Sequence, residues 1–124
     1  MSTKTITGVL LDVNAGTAEL RTIPDTLDSL YKHLDCTCID IITRRIGGRS
    51  FTIVCDDEVL LKAAPRPSAF TLMGDLALVG SLLITAHVPG SPELESLSPE
   101  DADFVLRHVH WIPGRPWPTL YPVR

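Results

Sequence analysis

Two adjacent glycines, Gly47 and Gly48, constrain the fold of this 124-residue chain more than any other feature of its sequence. They separate CIDIITRRI (38–46) from SFTIVC (50–55), two short runs rich in the β-branched and apolar residues typical of strands. Glycine readily adopts the positive φ angles that a two-residue hairpin turn requires. The sequence therefore predicts an antiparallel hairpin over these two runs.

Three more segments are predicted to extend this hairpin into a sheet. KTITGVLLDV (4–13) and TAELRTI (17–23) flank NAG (14–16), which favours a second hairpin. LALVGSLLITAHV (76–88) is an almost continuous apolar run, and such a run is typical of a central strand that is covered on both faces.

Helical periodicity occurs in two places. In residues 24–34, Asp25 or Thr26 can cap the first turn. In residues 97–112, Ser98 stands at the N-cap position and Pro99 in the first turn. The predicted buried stripes are Leu27, Leu30, Tyr31 and Leu34 in the first helix, and Ala102, Val105, Leu106, Val109 and Ile112 in the second.

These elements predict an α+β fold, with a mostly antiparallel sheet of about five strands and two helices packed on one face. We place residues 1–112 in a single α+β domain and residues 113–124 in a Pro-rich C-terminal arm, which is expected to form neither helix nor central strand because proline lacks a backbone N–H. Two helices leave the other face to solvent, to the arm or to a second copy of the chain, and we expect a homodimer.

Composition and charge narrow the class of partner. Apolar residues make up 44% of the chain and charged residues 21%, and the formal net charge is −4. An acidic chain is not expected to bind nucleic acid, whose phosphates attract basic surfaces. No apolar run approaches the roughly 20 residues that span a bilayer. Because no secretory signal is visible and the three cysteines are odd in number, we expect a cytoplasmic protein with reduced thiols.

Asp56, Asp57 and Glu58 are the candidate metal ligands, since carboxylate oxygens suit hard cations. Consecutive strand residues point to alternating faces, so all three converge on one ion only where the strand bulges or turns. The simpler interpretation is that these residues end the strand and cap a turn, with Glu58 paired to Lys62.

The cysteines and histidines offer a weaker metal hypothesis. Cys36, Cys38 and Cys55, completed by His33 or His87, could supply four zinc ligands, although paired zinc cysteines usually stand further apart in sequence. The favoured interpretation is that these cysteines are small buried side chains. His108 and His110 are two apart on a predicted helix, which puts them on different faces. No cofactor is expected.

Two further groups of residues are candidates for binding. Trp111, Trp117 and Tyr121 are core residues or, because aromatic side chains are enriched at protein interfaces, interaction residues. Arg44, Arg45 and Arg66 with an aromatic ring would form a pocket for a small nucleotide-like ligand. No glycine-rich nucleotide loop supports that pocket.

The segments IDIITRRIGGRSFTIVCDDEVLLK, APRPSAF, LALVGSLLITA and LSPEDADFVLRH, in this order, resemble the family catalogued as domain of unknown function 3846. The resemblance implies a bacterial, phage or mobile-element context and implies no catalytic residues. Val59 stands where relatives are expected to have glycine.

The function that we expect is therefore non-enzymatic binding of another protein, as a phage or mobile-element accessory. The alternatives are a small metal-dependent enzyme that uses the acidic turn, and a binder of a nucleotide-like ligand.

Overall fold

A computed structural model of the chain describes residues 4–57 and 66–124, and every structural statement below refers to these residues. The strands are β1 (Thr5–Asp12), β2 (Thr17–Pro24), β3 (Ile39–Ile46), β4 (Arg49–Asp56), β5 (Pro67–Phe70), β6 (Leu76–Val79), β7 (Leu82–Ala86), β8 (Val109–His110) and β9 (Thr119–Leu120). The helices are α1 (Leu27–Leu34) and α2 (Pro99–Leu106). At eight residues each, neither of these two helices has the length that crossing a membrane requires.

Five strands form an antiparallel sheet in the order β2-β1-β7-β4-β3. Both predicted hairpins are confirmed. Gly47 and Gly48 have φ angles of 58° and 91°, and they bring Ile46 opposite Arg49. Gly16, with φ at 72°, closes the turn between β1 and β2. The local turn residues thus set the register of the two outer strand pairs.

A second, four-stranded sheet, in the order β6-β5-β9-β8, was not predicted. Most of the run 76–88 was expected to form one central strand, and this prediction is wrong for its first half. Gly80 turns the chain with φ at 83°, and its N–H donates to the Arg66 carbonyl at 2.8 Å. β6 therefore lies in the small sheet, whereas β7 takes the predicted central place in the large one.

Both helices begin as predicted, and the second ends early. Thr26 Oγ1 accepts from Ser29 N–H at 3.2 Å, and Ser98 Oγ accepts from Asp101 N–H at 3.1 Å. The helix predicted to reach residue 112 stops at Leu106, because the following residues leave it to pair with β9 as β8.

The two helices lie on opposite faces of the large sheet, so the expectation that both pack on one face is wrong. Side chains alternate along a strand. In β1, Leu10 packs with Leu30 of α1, whereas Val9 packs with Val105 of α2 and Leu120 of the small sheet. One face of the large sheet is therefore covered by α2 and the small sheet, and the other by α1 together with Leu94.

The C-terminal residues pack into the larger core. Leu120 and Val123 are fully buried, and β9 lies between β5 and β8. The expectation that the arm contains no inner strand is therefore wrong, since Thr119 and Leu120 escape the restriction that proline imposes on their neighbours. The division between a domain over 1–112 and an arm over 113–124 stays a prediction.

Candidate interaction site

An open groove lies beside α1, on the face of the large sheet that this helix covers only in part. The groove encloses about 580 Å³. Its floor is formed by β3, β4 and β7, and its walls by the start of α1 and by residues 88–94. The site follows from the fold, because eight helical residues are too few to cover a face of five strands.

Three partly exposed apolar side chains lie around this groove, among polar ones. Leu27, Ile41 and Val88 line it, and they are 58%, 52% and 47% exposed. Each comes from a different element, so the groove gathers apolar surface that is distant in sequence. Apolar surface gathered in one concave place is a common mark of a binding site.

The floor carries a short hydrogen-bonded row. Thr52 Oγ1 lies 3.3 Å from His87 Nδ1, and Thr85 Oγ1 donates to the Thr52 carbonyl at 2.9 Å. Thr85 is fully buried beneath this row. Thr52 and His87 line the groove, and they can fix the orientation of a bound chain by offering hydrogen bonds beside the apolar side chains.

Ion pairs of Lys4 with Glu93 and Asp25 hold the outer wall of the groove. Lys4 donates to Glu93, and its Nζ also lies 3.9 Å from Asp25 Oδ2. The hydrogen bond between Lys4 and Glu93 raises the pKa of Lys4 and lowers the pKa of Glu93. All three residues line the groove and together carry one net negative charge. The rim therefore complements a partner with basic residues.

The edge strand β3 borders the groove, and part of its edge is already occupied. Arg45 exchanges two backbone hydrogen bonds with Arg124, at 2.9 and 2.8 Å. Nearer the start of the strand, side chains of β3 itself form hydrogen bonds with the outward-facing backbone groups. Ile41 N–H donates to Asp40 Oδ1 at 3.0 Å, and Arg44 Nη1 donates to the Thr43 carbonyl at 2.8 Å. Charged side chains thus protect the stretch that no strand covers in the described part of the chain.

The acidic cluster is split by the end of β4. Asp56 is buried, and Asp57 is exposed with its N–H donating to the Cys38 carbonyl at 3.1 Å. Glu58 lies outside the described residues. Within residues 4–57 and 66–124, no group of three or more His, Cys, Asp or Glu side chains is arranged to hold a metal ion. The assignment of Asp56, Asp57 and Glu58 as metal ligands stays a prediction.

None of the three cysteines is in a disulfide, and Cys55 and Cys36 lie on opposite sides of the large sheet. Cys55 belongs to the core under α2, whereas Cys36 packs against the core under α1. Burial, reinforced by the charge of Asp40, raises the pKa of the Cys55 thiol to about 11. Its Sγ–H donates to the Asp40 carbonyl at 3.7 Å. Cys55 therefore stays protonated at neutral pH, as a small buried side chain does.

His33, one of the two histidines that could complete a zinc site, and the pair His108 and His110 have other contacts. His33 Nδ1 lies 2.8 Å from the Ser29 carbonyl, and His108 Nδ1 lies 2.7 Å from the Phe104 carbonyl. His110 packs edge-on against Tyr121, with ring centroids 5.9 Å apart. These contacts tie each ring to its own part of the fold.

The three arginines proposed for a nucleotide-like ligand do not share a pocket. Arg44 and Arg45 line a shallow cavity of about 400 Å³ together with Arg124. Arg66 instead donates to the Val13 carbonyl at 2.8 Å and lies over the ring of Trp117. The predicted pocket is wrong, because Arg66 supports the connection into the small sheet.

The aromatic candidates divide between the core and the surface. Trp117 packs against the larger core, and its Nε1–H donates to the Pro67 carbonyl at 2.7 Å. Trp111 is 60% exposed. Tyr121 is 37% exposed and donates through its hydroxyl to the Leu72 carbonyl at 3.3 Å. Their role as interaction residues stays a prediction.

The residues of the groove were missed from the sequence. Leu27 fits the apolar stripe of α1 and was expected to be buried, and Ile41 is an ordinary member of a strand-like run. The available signal was the shortness of the helical segment, which predicted an incompletely covered face without saying which residues remain exposed.

The fold is a two-sheet α+β architecture with an open groove beside α1. The chain belongs to the family described as Domain of unknown function (DUF3846), whose model matches residues 6–110. No curated protein and no solved structure matches the chain. The family resemblance is thereby confirmed, and because the family description gives no activity, function has to be argued from the groove.

Proposed function

We propose that this protein is a non-catalytic interaction protein that binds an apolar segment of another polypeptide in the groove beside α1. The observation that carries the proposal is the convergence of Leu27, Ile41 and Val88, each about half exposed, around one cavity. A neutral or basic partner is favoured by the acidic rim and by the net charge of −4.

The three exposed apolar side chains of the groove supply part of the binding energy. Full burial of a large aliphatic side chain stabilises by roughly 1.5–3 kcal/mol, and about half of that remains available to each of the three residues. Their sum is about 2–4.5 kcal/mol, which by itself corresponds to a dissociation constant on the order of 1 mM. Hydrogen bonds to the floor have to offset the cost of ordering both partners.

We further propose, from the family context and not from geometry, that this binding serves a phage or mobile element as an accessory function in a bacterial cytoplasm. The net charge argues against nucleic acid as the partner.

Selection of a displayed random-peptide library on the purified protein tests the groove directly. We expect the selected peptides to be apolar with basic flanks. In calorimetric titration they should bind Leu27→Ser and Val88→Ser about fivefold more weakly than wild type, since each change removes about 1 kcal/mol of apolar contact. Leu20→Ser is the matched control, because Leu20 is 44% exposed on β2 and does not line the groove.

Peptides that bind the two groove variants as tightly as wild type would refute the proposal. A library that yields no binder above background would refute it as well.

A further inference from the structure

We infer that the exposed stretch of β3 pairs with the same stretch of a second copy, which joins two large sheets into one around a two-fold axis. The inference rests on the proposed function and extends it, because the second copy would lie beside the groove, next to the part of its floor that β3 forms. It rests on backbone groups at the strand edge, on the placement of two opposite charges and on one exposed isoleucine.

The edge of β3 directs backbone N–H and C=O groups outward, where another strand can pair with them. Arg45 directs both of its backbone groups outward, to Arg124. Because backbone direction alternates along a strand, Thr43 and Ile41 direct theirs the same way. Within the described part of the chain, the Thr43 N–H and the Ile41 carbonyl make no hydrogen bond at this edge. Such an edge is a template for another strand.

The side chains that protect this edge are complementary in charge. Asp40 accepts from the Ile41 N–H, and Arg44 donates to the Thr43 carbonyl. Both contacts satisfy a backbone group that an incoming strand would satisfy instead. Pairing therefore releases one carboxylate and one guanidinium from each copy, and all four lie at the new interface.

The register follows from the occupied end of the strand. Arg124 already pairs with Arg45, so a partner strand has room only before that residue. An antiparallel pair centred on Ile41 uses this room. It brings Ile41, 52% exposed, beside Ile41 of the partner subunit, and it places Asp40 diagonal both to Arg44 of the partner subunit and to Asp40 of the partner subunit. The two-fold axis repeats the contact between Asp40 and Arg44, so two attractive contacts outnumber the single contact between the two Asp40 carboxylates.

The opposite edge of the sheet is a weaker candidate. β2 also carries an acid and a base, Glu19 and Arg21, but these two side chains already form an ion pair with each other. β2 contributes no residue to the groove lining. Pairing at β3 therefore forms more new ion pairs than pairing at β2, and it places the second copy beside the groove.

A two-fold axis perpendicular to the sheet leaves both grooves open on the same side. Ile41 lines the groove of its own copy, so the two grooves meet at the axis. A partner with two apolar segments could then engage both at once, with a gain in avidity over a single contact.

Sedimentation equilibrium of the full chain and its charge variants tests the inference. Asp40→Arg and Arg44→Asp each create like-charge contacts at two symmetric places, and we expect each to weaken dimerisation about tenfold. The double variant Asp40→Arg/Arg44→Asp restores the pairs and should return to within about threefold of wild type. Glu19→Arg and Arg21→Asp, the same reversals on β2, should leave the dimer unchanged.

Thr43→Pro provides an independent test, because it removes an outward N–H without removing a bond to β4. It should abolish dimerisation, whereas Thr43→Ala should retain it. Circular dichroism confirms that each variant is folded. A wild-type chain that stays monomeric at high concentration overturns the inference. So does a dimer that responds to the β2 reversals, or one that the double variant fails to restore.

The two proposals fail separately. Peptide binding that depends on Leu27 and Val88 in a monomeric protein overturns the dimer alone. A dimer with the expected charge dependence but without groove-dependent peptide binding overturns the proposed function alone.

Discussion

Gly8 allows β1 and β7 to approach closely at the centre of the large sheet, and Gly8→Ala tests this packing. Gly8 is buried, and a Cβ added to it would lie 2.5 Å from the Ile84 carbonyl oxygen and 3.1 Å from Leu83 Cδ1. Ordinary contacts begin at 3.4 Å. The two strands would have to separate by about 0.9 Å, the difference between these two distances.

The expected loss of stability follows from two opposing effects. Overpacking a well-packed core costs about 1–3 kcal/mol. Replacing glycine by alanine in a strand returns roughly 0.5–1 kcal/mol, because the unfolded chain loses conformational freedom. The net loss is about 1–2 kcal/mol. For a domain of this size, it lowers the melting temperature by roughly 4–8 °C.

Thermal and urea unfolding of wild type, Gly8→Ala and Gly8→Val measure this loss. The larger side chain should cost more, because the obstacle is a backbone oxygen that cannot rotate away. An alanine variant as stable as wild type would show that the strands separate freely, and it would refute the close-packing argument.

Two other predictions concern the first hairpin and the buried thiol. Gly47→Ala should lower the free energy of unfolding by about 1 kcal/mol or more beyond Gly48→Ala. Both glycines have positive φ, but only a methyl group at Gly47 would meet the His108 ring. Urea unfolding measures the difference, and adding His108→Ala should remove it. Cys55 has a pKa of about 11 when folded and 9.0 as its ordinary value, so only the unfolded thiol ionises between these values. The free energy of unfolding should therefore fall by about 3 kcal/mol as pH rises through this window. Unfolding measured at several pH values should show a shallower decline for Cys55→Ala, and an equal decline would contradict the assignment.

Local signals allowed much of the large sheet to be predicted. Gly47 and Gly48 specify a hairpin through their φ angles, and Thr26 and Ser98 specify helix starts through side-chain caps. Each of these signals acts over a few residues, so the sequence alone carries it.

The small sheet could not be predicted in the same way. β8 and β9 have two residues each, too few to show any periodicity, and their pairing joins residues that a proline-rich loop separates. Gly80 was the one visible signal, because a glycine inside an apolar run marks a bend. Val109 fits a helical stripe, and its pairing with Leu120 overrides that pattern.

The groove depends on long-range contacts that no local pattern reveals. Its outer wall is held by Lys4 and Glu93, which are 89 residues apart in sequence. The exposure of Ile41 reflects how little of this face α1 covers, not the character of β3. Of the candidate acids, Asp56 is the last residue of β4 and is buried, whereas Asp57 lies beyond the strand and is exposed.

The presence of a core on each side of the large sheet has a consequence for sequence variation. β1, β4 and β7 contribute side chains to both cores, so successive positions along them are all confined by neighbours. In the outermost strands, β2 and β3, far fewer residues are buried. Relatives are therefore expected to diverge first along these two borders, and the specificity of each relative for its own partner can evolve there while the interior stays nearly fixed.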